Sequence, residues 1–394
     1  MKIGIFTDTY YPEINGVANS TYELKKGLES MGHQVYIFTV SNPSVTKDEK
    51  NIFRIPSVPF VFLKERRIGC TLAAIWKKKI KRLHLDVIHT QTEFSIGHLG
   101  RKTALYLGIP HIHTYHTIYE EYIHYIKMAG NDRVKEMARA FSRHCCNQAD
   151  AVIVPTKKVK VLLRNYGVHQ EIHTIATGIP LKKFHQYHKE HTKQLLQLYG
   201  LSETQHILLY VGRLSEEKNI DHLIYHFQEI VQDDELARLI IVGDGPEKEK
   251  LIDDVKTWQL EKQVIFTGAV DWETIPDYYA MGDVFVSMSN SETQGLTYFE
   301  ALASGKPILV QKDDCLQDLL LQKKNGYAFQ NHEEFLKGYR FLFGTEFLSS
   351  PEEIKASVSK YDEHTFALHV WEVYDAMIRK GCITDEKGSV VGTA

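Results

Sequence analysis

Two glutamates stand eight positions apart in Ser291-Glu292-Thr293-Gln294-Gly295-Leu296-Thr297-Tyr298-Phe299-Glu300-Ala301-Leu302-Ala303-Ser304-Gly305-Lys306-Pro307. Upstream, Asp283-Val284-Phe285-Val286-Ser287 has the pattern of a short buried strand. Polar Asn290 to Thr293 makes a loop, and Leu296 to Ala303 makes a helix that Gly305 and Pro307 stop. The N–H groups of Gln294, Gly295 and Leu296 at such a helix start carry partial positive charge and suit a phosphate. The carboxylates of Glu292 and Glu300 do not suit phosphate; as acceptors they suit the hydroxyls of a sugar and of ribose.

A second set lies in Tyr210-Val211-Gly212-Arg213-Leu214-Ser215-Glu216-Glu217-Lys218-Asn219, after a predicted strand and before a predicted helix at Ile220 to Ile230. Arg213 with its fork of donors and Lys218 as a point charge together neutralise a diphosphate. Gly16 lies in Tyr10-Tyr11-Pro12-Glu13-Ile14-Asn15-Gly16-Val17-Ala18 and permits close backbone approach to a phosphate. His116 follows a strand expected at Ile109 to Thr114, so it falls at the strand's carboxyl end, where an imidazole hydrogen-bonds a sugar hydroxyl or shares a proton. His111 and His113 alternate along that strand and read as core histidines. The i, i+2, i+5 spacing of the three does not suit zinc.

These residues need strands and helices in alternation to position them. Lys2 to Phe6 is a strand, Val17, Leu24, Leu28 and Met31 form a helical stripe ended by Gly32, and Gln34 to Val40 is the next strand. That unit implies a parallel sheet. Asp86 to His89 and Ala151 to Val154 continue it. The rhythm restarts at Ile207 to Val211, Arg238 to Val242 and Val264 to Thr267. Polar, basic Leu181 to Gln197 reads as the linker. The expectation is two doubly wound α/β, Rossmann-like domains facing a cleft, residues 1–180 and 181–364. Helices at about 365–380 pack back on the first domain, and 381–394 form a flexible tail.

The chain has 394 residues, 43% hydrophobic and 25% charged, which fits a globular protein of two domains. No run of about 18 apolar residues and no signal peptide is visible, and five scattered cysteines match neither a disulfide framework nor a zinc site, so a cytoplasmic protein with reduced thiols is expected. Charge is uneven. Residues 1–180 carry 25 Lys and Arg against 15 Asp and Glu, and the remainder 22 against 35. A basic first half suits an anionic surface.

The basic charge concentrates in Thr71 to Leu85. Leu72, Trp76, Ile80 and Leu83 share one helical face, and Lys77, Lys78, Lys79, Lys81 and Arg82 fill much of the rest. Phe60-Val61-Phe62-Leu63 with Lys64, Arg66 and Arg67 precede it. This pattern suits an anionic membrane surface; the plainer reading is a core-packed helix with a solvated basic face. No recognition motif accompanies the charge, so nucleic acid is not an expected partner.

The string from Ser291 to Pro307, with Arg213 and Lys218, resembles the Glu-x7-Glu signature and the Gly-Arg…Lys donor element of retaining glycosyltransferases of family 4, which have the GT-B fold. The similarity runs along nearly the whole chain. The segments Phe6-Thr7-Asp8-Thr9-Tyr10-Tyr11-Pro12-Glu13-Ile14-Asn15-Gly16-Val17-Ala18 and Tyr115-His116-Thr117-Ile118-Tyr119-Glu120-Glu121-Tyr122 look most like those of its bacterial diacylglycerol glucosyltransferases. Lys306 departs from the small or apolar residue commoner at its place, which bears on the edge of the donor site.

The resemblance implies transfer of glucose from UDP-glucose to diacylglycerol, peripherally at the inner face of the cell membrane. Glu292 and Glu300 hold sugar and ribose hydroxyls, Gly16 belongs to a loop that closes over the donor, and Val270 belongs to a loop against the base. His116 positions the sugar. No Asp-x-Asp motif occurs, and Arg213 and Lys218 are expected to do a metal ion's work at the diphosphate, without a cofactor. A glycosyltransferase with another donor or acceptor, soluble sugars included, and a non-catalytic nucleotide-sugar or lipid binding module remain as alternatives.

Overall fold

The computed structural model describes residues 1–13, 15–46, 49–60, 67–71, 73–121 and 132–388. Leu72, the upstream stretch Val61 to Arg66 and Tyr122 lie outside the described residues. The chain divides into two compact units, Met1–Gly178 with Glu363–Ala394, and Ile179–Asp362.

The first unit is built on β1 (Lys2–Phe6), β2 (Gln34–Val40), β3 (Ile52–Ile55), β6 (Val87–Thr90), β7 (His111–Thr114), β8 (Ala151–Val154) and β9 (Glu171–Thr174), with a hairpin of β4 (Ser57–Pro59) and β5 (Arg67–Gly69). The seven strands pair in the order β3-β2-β1-β6-β7-β8-β9, all parallel. Continuous apolar strands such as β1 and β8 fit a sheet covered on both faces. The helices are α1 (Gly16–Ser30), α2 (Ala73–Lys81), α3 (Ser95–Leu107), α4 (Asp132–Cys146) and α5 (Lys157–Asn165).

The second unit holds α6 (Leu181–Phe184), α7 (Lys189–Leu198), β10 (His206–Val211), α8 (Ile220–Asp233), β11 (Ala237–Val242), α9 (Lys248–Thr257), β12 (Val264–Gly268), α10 (Ile275–Met281), β13 (Val284–Ser287), α11 (Leu296–Ala303), β14 (Ile308–Gln311), β15 (Gly326–Phe329), α12 (His332–Leu342) and α13 (Pro351–Ala356). Its parallel sheet runs β12-β11-β10-β13-β14-β15. In both sheets the chain builds outward on one side of the first strand and then crosses to the other. The crossing points lie between β1 and β6 and between β10 and β13, and in such sheets the carboxyl ends of those strands hold ligands.

The stretch from Leu181 to Gln197, expected as a linker, is folded instead. Leu181, Phe184 and Leu195 are buried in the second unit's core. The buried Asp277 on α10 accepts the His188 N–H at 2.6 Å, at the start of α7, and its other oxygen lies 2.7 Å from His191 Nδ1. Most polar residues of this stretch are exposed, while Thr192 is buried.

The C-terminal helix α14 (Glu363–Gly388) belongs to the first unit, so Gly381 to Gly388 continue a helix, while 389–394 lie outside the described residues. Phe366, Ala367, Val370 and Tyr374 on α14 share one core cluster with Leu24 and Leu28 of α1. Among the described residues no helix is long and apolar enough to cross a membrane.

Gly27 lets α1 and α14 approach: a Cβ there would stand 2.5 Å from the Ala367 Cβ and 2.8 Å from the Glu363 carbonyl oxygen. Gly27→Val is therefore expected to cost about 1–3 kcal/mol in urea unfolding, with faster proteolysis of α14. An unchanged midpoint would show that α14 is not held there.

Candidate functional site

The carboxyl rim of the second sheet gathers four loops. Those after β10 and β11 are pressed together by glycine. Gly212 N–H donates to the Val242 carbonyl at 3.0 Å, and Leu214 N–H to that of Asp244 at 3.0 Å. A Cβ on Gly243 would lie 1.9 Å from the Gly212 oxygen, and one on Gly245 2.2 Å from that of Leu214. This close fit fixes the backbone of Arg213, whose carbonyl accepts from the Tyr210 hydroxyl at 3.1 Å and whose side chain is exposed.

Lys218 and Glu292 meet across the crossing point. Lys218 Nζ donates to Glu292 Oε1 at 2.5 Å, with both side chains mostly buried. The pair ties the loop after β10 to the loop after β13. Next to it α11 begins at Gly295, in left-handed conformation (φ 74°), with no side chain capping the helix. A Cβ at Gly295 would stand 2.5 Å from the Tyr298 ring, so both its φ and its surroundings require glycine. Gln294 is buried, and Leu296 is half-buried. Val270, half-buried in the loop after β12, stands on the same rim of the sheet.

Glu300 lies one turn and more into α11 and is only 5% exposed. The Tyr279 hydroxyl on α10 donates to its Oε2 at 2.8 Å. Burial pushes the Glu300 carboxyl up to about 7, against the smaller lowering effects of Tyr279 and Lys183. The two glutamates thus differ: one is paired with a cation at the rim, the other is buried and titrates near neutrality. Nothing in the sequence spacing singled out Tyr279. Lys306 lies at the opposite, amino end of β14, where its ammonium donates to the Ala280 carbonyl at 3.3 Å. It therefore does not edge this site.

In the first unit the same rim carries a histidine network. His116 is half-buried just beyond β7, and its Nε2 lies 2.7 Å from Gln91 Oε1. Burial, with His113 close by, lowers the imidazole to about 3. A neutral ring donating Nε2–H to a carbonyl oxygen leaves Nδ1 as an acceptor. His89, read from the sequence only as part of a strand, is fully buried between the Tyr374 hydroxyl at 2.6 Å and the Thr114 hydroxyl at 2.7 Å. The Thr90 hydroxyl stands 2.9 Å from both His111 Nε2 and His113 Nδ1, and His113 Nε2 is 3.2 Å from Glu93 Oε1. His111 and His113 are thus satisfied core histidines. Among the described residues no group of three or more His, Cys, Asp or Glu is set to hold a metal ion.

Both helix starts beside the first crossing point are closed. The Asn15 side chain accepts from Val17 N–H at 3.1 Å and Ala18 N–H at 3.0 Å, and Gly16 is exposed beside them. Asp8, which the sequence reading passed over, reaches from the loop after β1. It accepts from Ser95 Oγ at 2.5 Å, Thr92 Oγ1 at 2.6 Å and Ile96 N–H at 2.9 Å, at the start of α3. The polar run Thr90-Gln91-Thr92-Glu93 after β6 was the available signal for this network.

On α2, Ile80 is buried and Trp76 half-buried against the cluster of Phe6, Phe38 and Leu99, with Leu83 just beyond the helix. The tryptophan thus packs toward the core. Lys78, Lys79, Lys81 and Arg82 are exposed; Lys77 is half-exposed and reaches the Tyr106 ring at 5.3 Å.

Residues 14–183 match the family model Glycosyltransferase Family 4, and residues 192–355 match Glycosyl transferases group 1. The alpha-monoglucosyldiacylglycerol synthase of Streptococcus pneumoniae is 40% identical over 340 residues, covering 85% of this chain and 76% of the relative. That of Acholeplasma laidlawii is 36% identical over 387 residues, covering 95% and 94%. Among solved structures, sucrose-phosphate synthase from Thermosynechococcus elongatus aligns with TM-score 0.78 at 21% identity, covering 96% of this chain and 99% of that one. Anabaena HepE in complex with UDP aligns with TM-score 0.76 at 16% identity, covering 95% and 100%. At those identities the likeness shows the fold, which is GT-B.

A carboxyl at about 7 when folded against 4.5 in its ordinary state holds its proton in the folded chain at pH values where the unfolded chain has lost it. Its contribution is therefore full below pH 4.5 and declines as pH rises toward 7. Glu300→Gln is expected to remove that decline. The urea-unfolding stability lost between pH 4.5 and 8 should shrink by on the order of 3 kcal/mol relative to the parent protein. Equal slopes in both proteins would contradict the assignment.

Proposed function

Because the chain belongs to glycosyltransferase family 4, we propose that it moves glucose from UDP-glucose to the 3-hydroxyl of 1,2-diacylglycerol, giving alpha-monoglucosyldiacylglycerol with retention at the anomeric carbon. The observation that carries this reading is the Lys218–Glu292 pair beside the uncapped start of α11. The names of the Streptococcus and Acholeplasma relatives support the sugar and the acceptor. The exposed cations of α2 support work at an anionic surface, peripherally at the inner face of the cell membrane.

In this reading the diphosphate of the donor takes Lys218 from Glu292, and Arg213 adds its fork of donors. The N–H groups of Gln294, Gly295 and Leu296 complete the phosphate contacts. Released from the ammonium, Glu292 accepts from the hydroxyls of glucose. Glu300, ionised, accepts from those of ribose, and Val270 lies against the base. Gly16 lets the backbone near the donor, and His116 Nδ1 accepts from the C6 hydroxyl of the sugar. The bond from glucose C1 to the phosphate oxygen breaks while the acceptor oxygen bonds C1 on the same face. The acceptor's proton passes to the departing phosphate oxygen, and the two cations stabilise the charge that develops there.

The direct test supplies purified protein with UDP-glucose and diacylglycerol in vesicles, with and without phosphatidylglycerol. A glucosyl lipid with the α-anomeric coupling in its NMR spectrum, made faster with the anionic lipid, is expected. A β-linked product would exclude retention, and turnover confined to water-soluble acceptors would exclude the lipid.

Lys218→Ala is expected to lower turnover at least 100-fold in a protein that still folds, with a melting temperature lowered because Glu292 loses its counter-charge. Glu292→Gln should lower turnover similarly while UDP binds no more weakly by calorimetry, because the amide no longer competes for Lys218. Weaker UDP binding in that variant would contradict the exchange of partners. Tyr279→Phe removes a hydrogen bond that favours the ionised Glu300. The KM for donor, rising as pH falls through about 7 in the parent protein, should begin to rise at a higher pH.

A further inference from the structure

The inner face of α3 is drawn hard onto the first sheet. A Cβ on Gly97 would stand 1.7 Å from the Thr92 carbonyl oxygen, and one on Gly100 2.7 Å from the Phe6 ring. Ile96, Leu99, Thr103 and Ala104 are buried there. The outer face has the opposite character. His98, Arg101 and Leu105 follow at spacings of three and four, so they share one side of the helix, flanked by Lys102 and Tyr106. Leu105 is 70% exposed and Tyr106 53%, and Phe94 at the helix start is 55% exposed. Neither α2 nor α3 contains an acidic residue. Glu93, just before α3, turns its carboxylate inward to His113 and Tyr119.

Neighbouring elements extend this face at both ends. Lys77 and Lys81 of α2 lie over the Tyr106 ring at 5.3 and 5.9 Å. At the other end Phe94 stacks on Phe141 of α4 at 6.0 Å, and Met137, one turn earlier, is 70% exposed. Apolar side chains at both ends of a helix, with cations between and beside them, form an interfacial surface.

We infer that the outer face of α3 is a lipid-docking surface that lies against an anionic bilayer, with Leu105 and Phe94 entering the apolar boundary and Arg101 and Lys102 meeting phosphate headgroups. It continues the basic face of α2 and supplies the exposed apolar side chains that Trp76, packed toward the core, does not. The inference rests on the lipid-directed reading above. Charge complementarity selects the bilayer over a second copy of this chain, because two identical basic faces repel.

The test is flotation of the full-length protein with phosphatidylcholine vesicles, with and without phosphatidylglycerol. The substitutions Arg101→Gln, Lys102→Gln and Leu105→Ser, combined, should weaken partitioning onto anionic vesicles roughly 30-fold or more. The melting temperature and turnover of detergent-dispersed diacylglycerol should be unchanged. Lys77→Gln with Lys78→Gln serves as the comparison on α2. Parent-like flotation of the α3 variant, with loss only in the α2 variant, overturns the inference and leaves the lipid reading intact. Flotation that depends on α3 without any turnover of diacylglycerol upholds the surface and sinks the proposed reaction. A dimer in sedimentation that the Leu105 substitution dissociates, with flotation unchanged, assigns the face to a second copy and overturns the inference.

Discussion

A 2.5 Å contact between the Lys218 ammonium and the Glu292 carboxylate joins the two loops on which the second unit's site is built. It exists because β10 and β13 are neighbours in a parallel sheet although 72 residues and two other strands separate them in the chain. Residues 74 apart in sequence meet only when that pairing forms. The start of α11, which no side chain caps, lies beside the same crossing, while the rim glycines belong to the pairing of β10 with β11. The pair is mostly buried, where an ammonium without a counter-charge is costly, so in the absence of an anion each partner satisfies the other.

The first unit shows the same geometry with the opposite outcome. Asp8 bridges the loops after β1 and β6, as Lys218 bridges those after β10 and β13. Yet the bridging charge is negative, and its oxygens take the N–H groups at the start of α3 that an incoming anion would need. Asn15 closes the start of α1 in the same manner. Two sheets of one topology therefore differ in chemistry. One rim presents cations and a helix start that no side chain caps, and the other presents a neutral histidine and closed helix starts. The difference follows from side-chain capping, which removes both free donors and positive potential.

The basic helix and the segment before β10 show how far composition alone reaches. The apolar stripe of α2 has the interfacial pattern, but Trp76 and Ile80 pack against the core, because the same stripe serves a helix resting on a sheet. The polar residues from Leu181 to Gln197 suit a linker. Three apolar residues among them, buried in the second unit, and the cap supplied by Asp277 are enough to fold them into helices.

Residue type and spacing along the chain set the strand–helix alternation, the string from Glu292 to Glu300, the glycine that begins α11 and the cations at positions 213 and 218. Each of these is a local pattern of residue type and spacing, legible because strands, helix stops and turns follow from short-range backbone constraints. Tertiary structure decided that Asp8 closes α3, that Gln91 fixes the His116 tautomer, that Tyr279 meets Glu300 and that α14 returns to the first unit. It also decided that Glu300 is the glutamate that titrates near 7. Those facts depend on burial and on partners far away in the chain, and spacing along a sequence carries neither until the two sheets have formed.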